Sequence, residues 1–286
     1  MTRLLGGRGR RGTSVEIPEE LWQGAVEKHP ICRGLSPEQL ERLRTRTAEV
    51  RSRIAFDAVR GVADAEELRL SVALQAALPV LELGVEWYRA VRTILLVPHE
   101  YESERSDVDE AGVVHEGIDT ISGELGPQAP VVLSVADVEA SGWGEGYNVV
   151  IHEMAHVLDA TNGELDGTPA LRSAAAVDAW RESLTLAFTD HVRRVQRAER
   201  AHAAERMERG PAAGAGGAAG RRHREPPVVD SYGAEDREEF FACAVELFFE
   251  RPRRLRRTYP QLYDQFLGFF GFDPAGSFPS QRRELD

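Results

Sequence analysis

Residues 147–159 read YNVVIHEMAHVLD, and within them His152-Glu153-Met154-Ala155-His156 forms an H-E-x-x-H pentapeptide preceded by an apolar run. On an α-helix, positions i and i+4 share a face about 6 Å apart along the axis, so both imidazoles can reach one ion. Zinc accepts neutral imidazole nitrogen at about 2.0–2.1 Å, and a catalytic zinc keeps one coordination position open for water. Glu153 directly follows the first histidine. From there its carboxylate can swing beneath the open position and take a proton from that water. The pentapeptide therefore implies metal-assisted hydrolysis, with His152 and His156 as metal ligands and Glu153 as general base.

Two histidines do not hold a catalytic zinc, and a third protein ligand is needed. One pattern adds a third histidine as H-x-x-G-x-x-H. Here Val, Leu, Asp, Ala, Thr and Asn follow His156, which excludes it. The other pattern uses a glutamate on a later helix, and the Glu-rich segment from 234 offers Glu235, Glu238, Glu239, Glu246 and Glu250. Glu239 and Glu246 are seven apart, hence on one face, and alternate with phenylalanines that must face the core. A carboxylate on a buried face needs a partner such as a cation. Spacing leaves Glu239 and Glu246 both open. Asp159, three residues past His156, could accept an imidazole N–H or serve the helix end. The other histidines, at 29, 99, 115, 191, 202 and 223, carry no ligand spacing.

The 286 residues carry a net charge of −12, which argues against a general nucleic-acid binder. Hydrophobic residues make up 42% and charged residues 29%, an ordinary globular composition. Cys32 and Cys243, the only cysteines, form neither a disulfide framework nor a C-x-x-C knuckle. The amino terminus MTRLLGGRGRRGTS lacks an apolar signal core, and no apolar run is long enough to span a bilayer. The expectation is a soluble protein in a reducing, cytoplasmic location, with no membrane and no nucleic acid among its partners.

Residues 1–14 read as a disordered basic tail and 15–286 as a single domain. Its first part, about 15–80, is helical: a short helix anchored by Trp22, one started by Ser36-Pro37-Glu38, and one over Ala63–Leu78 that ends before Pro79. The spacing carries the second helix on through Ile54, Ala55 and Val59. VRTILLV at 91–97 and PVVLSV at 130–135 read as strands, with Val113-Val114 a further short one. A glycine loop at 142–146 leads into the H-E-x-x-H helix, and Asn-Gly, Asp-Gly and Pro at 160–170 stop it. Helices are expected over 174–208, 234–249 and 257–271, with Arg251-Pro252 ending the second of these. A low-complexity stretch at about 209–227 reads as a flexible insertion. The order matches an α+β, zincin-like fold, in which a small mixed sheet packs over the active-site helix between helical parts.

LQAALPVLELGVEWY (74–88), VVLSVADV (131–138), NVVIHEMAHVLDATNGELDGTP (148–169) and YGAEDREEFFACAVELFFERP (232–252) together resemble the Mlc titration factor A family of zinc peptidases, related in fold to the catalytic domain of anthrax lethal factor. The resemblance implies one zinc per chain, held by His152, His156 and Glu239. It implies Glu153 as general base, Tyr232 as donor to the developing oxyanion, and a peptide or protein as substrate. It also implies a regulatory role as the alternative, because the named member sequesters a sugar-responsive transcriptional repressor. Two departures stand out: Val157 replaces the family's usual lysine after the second histidine, and the insertion lengthens the connection to Glu239.

Overall fold

The computed structural model describes residues 15–59, 61–62, 65–98, 130–209 and 227–277, with the backbone alone for 205–209. The basic tail, Val113-Val114, His99, His115, His223 and most of the 209–227 insertion lie outside the described residues.

Helix α1 (Glu19–Lys28) buries Trp22, as the sequence suggests. Ser36 opens α2 (Pro37–Arg53) through a capping box: its hydroxyl accepts from Gln39 N at 3.2 Å, and Gln39 Oε1 accepts from Ser36 N at 2.8 Å. The helical series does not continue past Arg53. Ile54 is extended, and Ala55–Ala58 form strand β1, whose Ala55 N donates to Arg92 O at 2.9 Å. Cross-strand pairing overrides local helical spacing here. Helix α3 (Glu66–Ala77) is buried almost all round from Leu70 onward, and the chain then passes through a 3-10 turn (Val85–Tyr88) into β2 (Thr93–Val97). Strand β3 (Val131–Ser134) completes a sheet in the order β1-β2-β3, with Phe56 opposite Ile94 and Ile94 opposite Val131.

The expected mixed sheet is a correction, because all three described strands run parallel. The reason lies in the connection: a parallel pair requires a crossover, and α3 supplies it between β1 and β2.

Beyond β3 come α4 (Val135–Ala140), α5 (Val149–Asp159), α6 (Ala174–Arg209), α7 (Arg237–Glu250), α8 (Pro252–Thr258) and α9 (Pro260–Phe270). Pro252 does end α7, yet it is also the first residue of α8, a position where its missing N–H costs nothing. The phenylalanines of α7 form the core, as expected. Phe240, Phe241, Phe248 and Phe249 are buried; the last three meet Phe266 and Phe270 of α9 and Trp180 of α6, as in the edge-on pair Phe249–Phe270 at 5.1 Å, while Phe240 meets Phe188 of α6 and Tyr259. Helix α5 touches β3, but its main neighbour is α7, with α3 on another side. The H-E-x-x-H pentapeptide is thus set against a helix more than beneath the sheet. No helix among the described residues is long and apolar enough to cross a membrane.

Candidate metal centre

Helix α5 is two-faced. Val150, Ile151, Met154, Ala155 and Leu158 are fully buried, while His152, Glu153 and His156 lie on the partly open face. Each large apolar side chain contributes about 1.5–3 kcal/mol of burial, which fixes the rotation of the helix and so the direction of the histidines. Asn148 caps it, its Oδ1 accepting from Ile151 N at 3.0 Å. Helix α7 is capped likewise by Asp236, whose Oδ1 accepts from Glu239 N at 2.9 Å. That bond sets Glu239 in the first turn, facing α5.

The structure brings His152, His156 and Glu239 together. His152 Nε2 lies 3.1 Å from His156 Nε2 and 3.1 Å from Glu239 Oε2, and His156 Nε2 lies 3.5 Å from the same oxygen. Donors at about 2.0–2.1 Å around a tetrahedral ion stand about 3.3 Å apart. Three lone pairs therefore converge at the spacing one cation would satisfy, and Glu239 Oε2 is buried without a hydrogen bond. The charges point the same way. Burial disfavours charge on His152, but Cys243, Glu239 and Glu246 outweigh it and raise the imidazole well above its usual range. Burial would raise Glu239, yet the two histidines hold it down at about 2. The site draws positive charge, and the residues fit a metal of the zinc type.

Glu246, the alternative left open by spacing, occupies the other side of His152. Its Oε1 lies 2.8 Å from His152 Nδ1, and its Oε2 accepts from Asn148 N. With Nδ1–H donating to Glu246, the Nε2 lone pair is left facing Glu239 and His156. Burial pushes the Glu246 carboxyl up, opposed by His152 and the Asn148 N–H. His152, Cys243 and Glu246 could also be drawn as a metal set, since their donor atoms lie within 4.8 Å of one another. One observation weighs against it: Nδ1 already shares a hydrogen bond with Glu246.

Glu153 lies next to His152 in sequence and on the same partly open side of α5. Burial raises its carboxyl and Glu239 adds to this, while His152 and His156 pull it back. Tyr232 lies in a 3-10 turn (Ser231–Ala234) that Asp230 caps by accepting from Tyr232 N at 2.9 Å. Its ring is 6.1 Å from that of His152, and burial with the Glu239 and Glu235 carboxylates raises the phenol above its usual range, keeping it a donor. Glu238 Oε1 approaches the outer nitrogen of His156 at 3.4 Å.

Asp159 does not orient an imidazole. Its Oδ2 accepts from Gly167 N at 2.8 Å, and Trp180 Nε1 donates to Gly167 O at 2.8 Å, so Asp159 pins the 160–170 loop against α6. Only glycine fits there: φ is +78°, and a Cβ would meet Arg237 O at 2.7 Å.

Sequence reasoning missed the polar chain behind the site. Asn148 Nδ2 donates to Gln75 Oε1 at 2.8 Å and to Glu250 Oε1 at 3.1 Å, and Glu250 Oε2 accepts from Gly144 N. Gln75 Nε2 reaches Ser71 O at 3.3 Å, and Ser71 Oγ lies 2.7 Å from His29 Nε2. His29, Gln75, Asn148, Glu246 and Glu250 are all buried. The one available signal was Glu250 at i+4 from Glu246 in the otherwise apolar stretch that starts at Phe240.

Residues 7–271 match the family of glucose-regulated metallo-peptidases M90. The chain belongs to this family. Three curated relatives carry the name Mlc titration factor A. The protein of Cronobacter sakazakii is 29% identical over 88% of this chain and 86% of its own, and that of Serratia proteamaculans is 30% identical over 88% and 87%. That of Edwardsiella ictaluri is 32% identical over 73% of each. The resemblance noted from four segments thus extends over most of the chain, and M90 membership makes the protein a metallo-peptidase by family.

Proposed function

We propose that this chain is a zinc-dependent peptidase of zincin type, with one zinc held by His152, His156 and Glu239. The observation that carries the proposal is the convergence of His152 Nε2, His156 Nε2 and Glu239 Oε2 within 3.1–3.5 Å, beside Glu153. Zinc, when bound, supplies Lewis-acid polarisation of the scissile carbonyl and a more acidic water. Glu153 takes the proton as water attacks and delivers it to the leaving amine, a role helped by a carboxyl raised toward the working pH. Tyr232 donates to the oxygen on which negative charge develops. Glu246 holds the His152 ring by its outer nitrogen. A continuous core running from Ile17 to Ala275 supports a single domain, and the cysteines, both free, fit a cytoplasmic setting.

The test is zinc content and peptidase activity measured on one preparation of wild type, Glu153→Gln, His152→Ala and Glu239→Ala. Glu153→Gln should keep zinc and lose about 10²–10⁴-fold in rate. The other two should lose zinc, and unchanged zinc stoichiometry in both would refute the ligand set.

A second reading follows from the relatives' name, which describes titration of a partner called Mlc. Here the chain captures a transcriptional regulator, and hydrolysis is incidental. Tight capture of a regulator by Glu153→Gln, with no cleavage of peptides by wild type, would favour that reading over the first.

A further inference from the structure

Away from the metal centre, where β1 and β2 begin, a cleft of about 300 Å³ is lined by three arginines, Arg53, Arg89 and Arg92. Its floor is apolar: Val50, Ile54, Val85 and Val91 are buried, and so is Tyr88, whose hydroxyl donates to Ala76 O at 2.9 Å. The backbone of the rim is preset. Arg89 N donates to Glu86 O at 3.2 Å, Val91 N to Tyr88 O at 2.9 Å, and Ala55 N to Arg92 O at 2.9 Å. Two of the three arginines are thus carried on main chain tied into the 3-10 turn and the sheet.

The charge at this cleft runs against the rest of the molecule. The chain carries −12 overall, yet the lining holds three guanidinium groups and a single carboxylate, Glu86. Glu86 pairs with Arg53 at 2.7 Å, but both side chains are largely exposed, at 73% and 49%, so the pair is weak and easily exchanged. Arg89 and Arg92 have no acidic partner among the described residues. Three guanidinium groups lining one cleft give it a positive local potential that favours an anion. Guanidinium forks suit carboxylate and phosphate oxygens in paired, planar geometry. The volume is at the lower end of small-ligand sites.

We propose that this cleft binds a small dianion, a phosphomonoester or a dicarboxylate, with its oxygens on Arg89 and Arg92 and its carbon body against Val85 and Val91. Glu86 then acts as a gate: it occupies Arg53 when the cleft is empty and opposes the ligand by like charge. The site is separate from the metal centre and independent of the peptidase proposal.

Calorimetric titration of the full chain with inorganic phosphate and, separately, with succinate tests this at low chloride. Wild type should give a saturable one-site isotherm with at least one of the two, and the tighter probe identifies the ligand class. Arg89→Ala/Arg92→Ala should weaken binding at least about tenfold. Arg89→Lys/Arg92→Lys should fall between, retaining charge but not the fork. Glu86→Gln should tighten binding a few-fold. These side chains are exposed, so the variants should keep the wild-type circular dichroism and melting profile. Absence of saturable binding for both probes overturns the proposal. So does binding that survives the double alanine variant, which would put the anion elsewhere, the metal centre included.

Discussion

Helices α5 and α7 form the two walls of the candidate centre, and they carry their chemistry in opposite ways. Helix α5 shows its functional side chains on an open face, two histidines and a glutamate in five residues, with its apolar residues on the other side. Helix α7 is buried along most of its length, and its functional carboxylates sit among phenylalanines. The first arrangement is local, since a helix of this pitch brings His152 and His156 together wherever it is placed. The second is tertiary, because Glu239 and Glu246 acquire roles only when α5 lies alongside. A short motif suffices on an exposed face. A buried face needs its partner to be known.

The comparison breaks if α7 is dispensable for metal. Glu239→Ala leaves two nitrogens and should abolish stoichiometric metal in the purified protein, the largest effect expected. Metal analysis after dialysis checks it, and full retention would remove α7 from the centre.

The next largest effect is on folding. Asn148 joins both walls: it caps α5 and donates through its backbone to Glu246 and through its side chain to Glu250 and Gln75. Asn148→Ala loses the cap, at about 1 kcal/mol, and leaves buried oxygens short of a donor at about 1–3 kcal/mol. A fall of about 2–4 kcal/mol in unfolding free energy should appear in denaturant melts. Asn148→Ser, which keeps the cap but not the amide donors, should recover only the cap's share. Stability of Asn148→Ser equal to that of wild type would show that the link between the walls carries nothing.

Glu246→Gln sharpens the contrast within α7 itself. Glu239 is a ligand in this account and Glu246 an orienting group, so the amide should keep stoichiometric metal but weaken its affinity about 10–100-fold. Competition with a chelator of known affinity measures this. Loss of metal as complete as in Glu239→Ala would make Glu246 the ligand and reverse the assignment.

The same contrast explains what could be read from the sequence. The pentapeptide, the Ser36 cap, β2, β3 and the phenylalanine core depend on neighbours close in sequence, and each stands where expected. Strand β1 was hidden because Ile54, Ala55 and Val59 continue the spacing of α2, and only the bond from Ala55 N to Arg92 O makes that segment a strand. Sheet direction was hidden for a related reason: it depends on the path taken by α3. Helix α8 was missed because proline stops one helix and starts another with equal ease. The third ligand fell between these cases. Helical phase left Glu239 and Glu246 both open. In the structure the two carboxylates face different nitrogens of His152, Glu239 the Nε2 and Glu246 the Nδ1.

The smallest expected effect lies at the far end of the polar chain, and it bears on whether that chain holds the walls in place. His29 is buried, hydrogen-bonded to Ser71, and connected through Ser71, Gln75 and Asn148 to both α5 and α7. Burial, with Lys28 nearby, lowers the imidazole to about 4. In the unfolded chain it titrates near 6.5. The unfolded state therefore binds the proton first, and stability falls as pH drops from about 6.5 toward 4. Between pH 7 and 5.5 this costs about 1 kcal/mol. Urea midpoints of the chelator-treated protein at the two pH values, beside His29→Gln, isolate the contribution, because metal release by acid is then removed from both. The variant should be less stable at pH 7 but lose about 1 kcal/mol less on acidification. An equal loss in both proteins would mean that His29 is protonated in the folded state without penalty. The anchor of the chain would then be Gln75, whose amide already spans Ser71 and Asn148 without a titrating group.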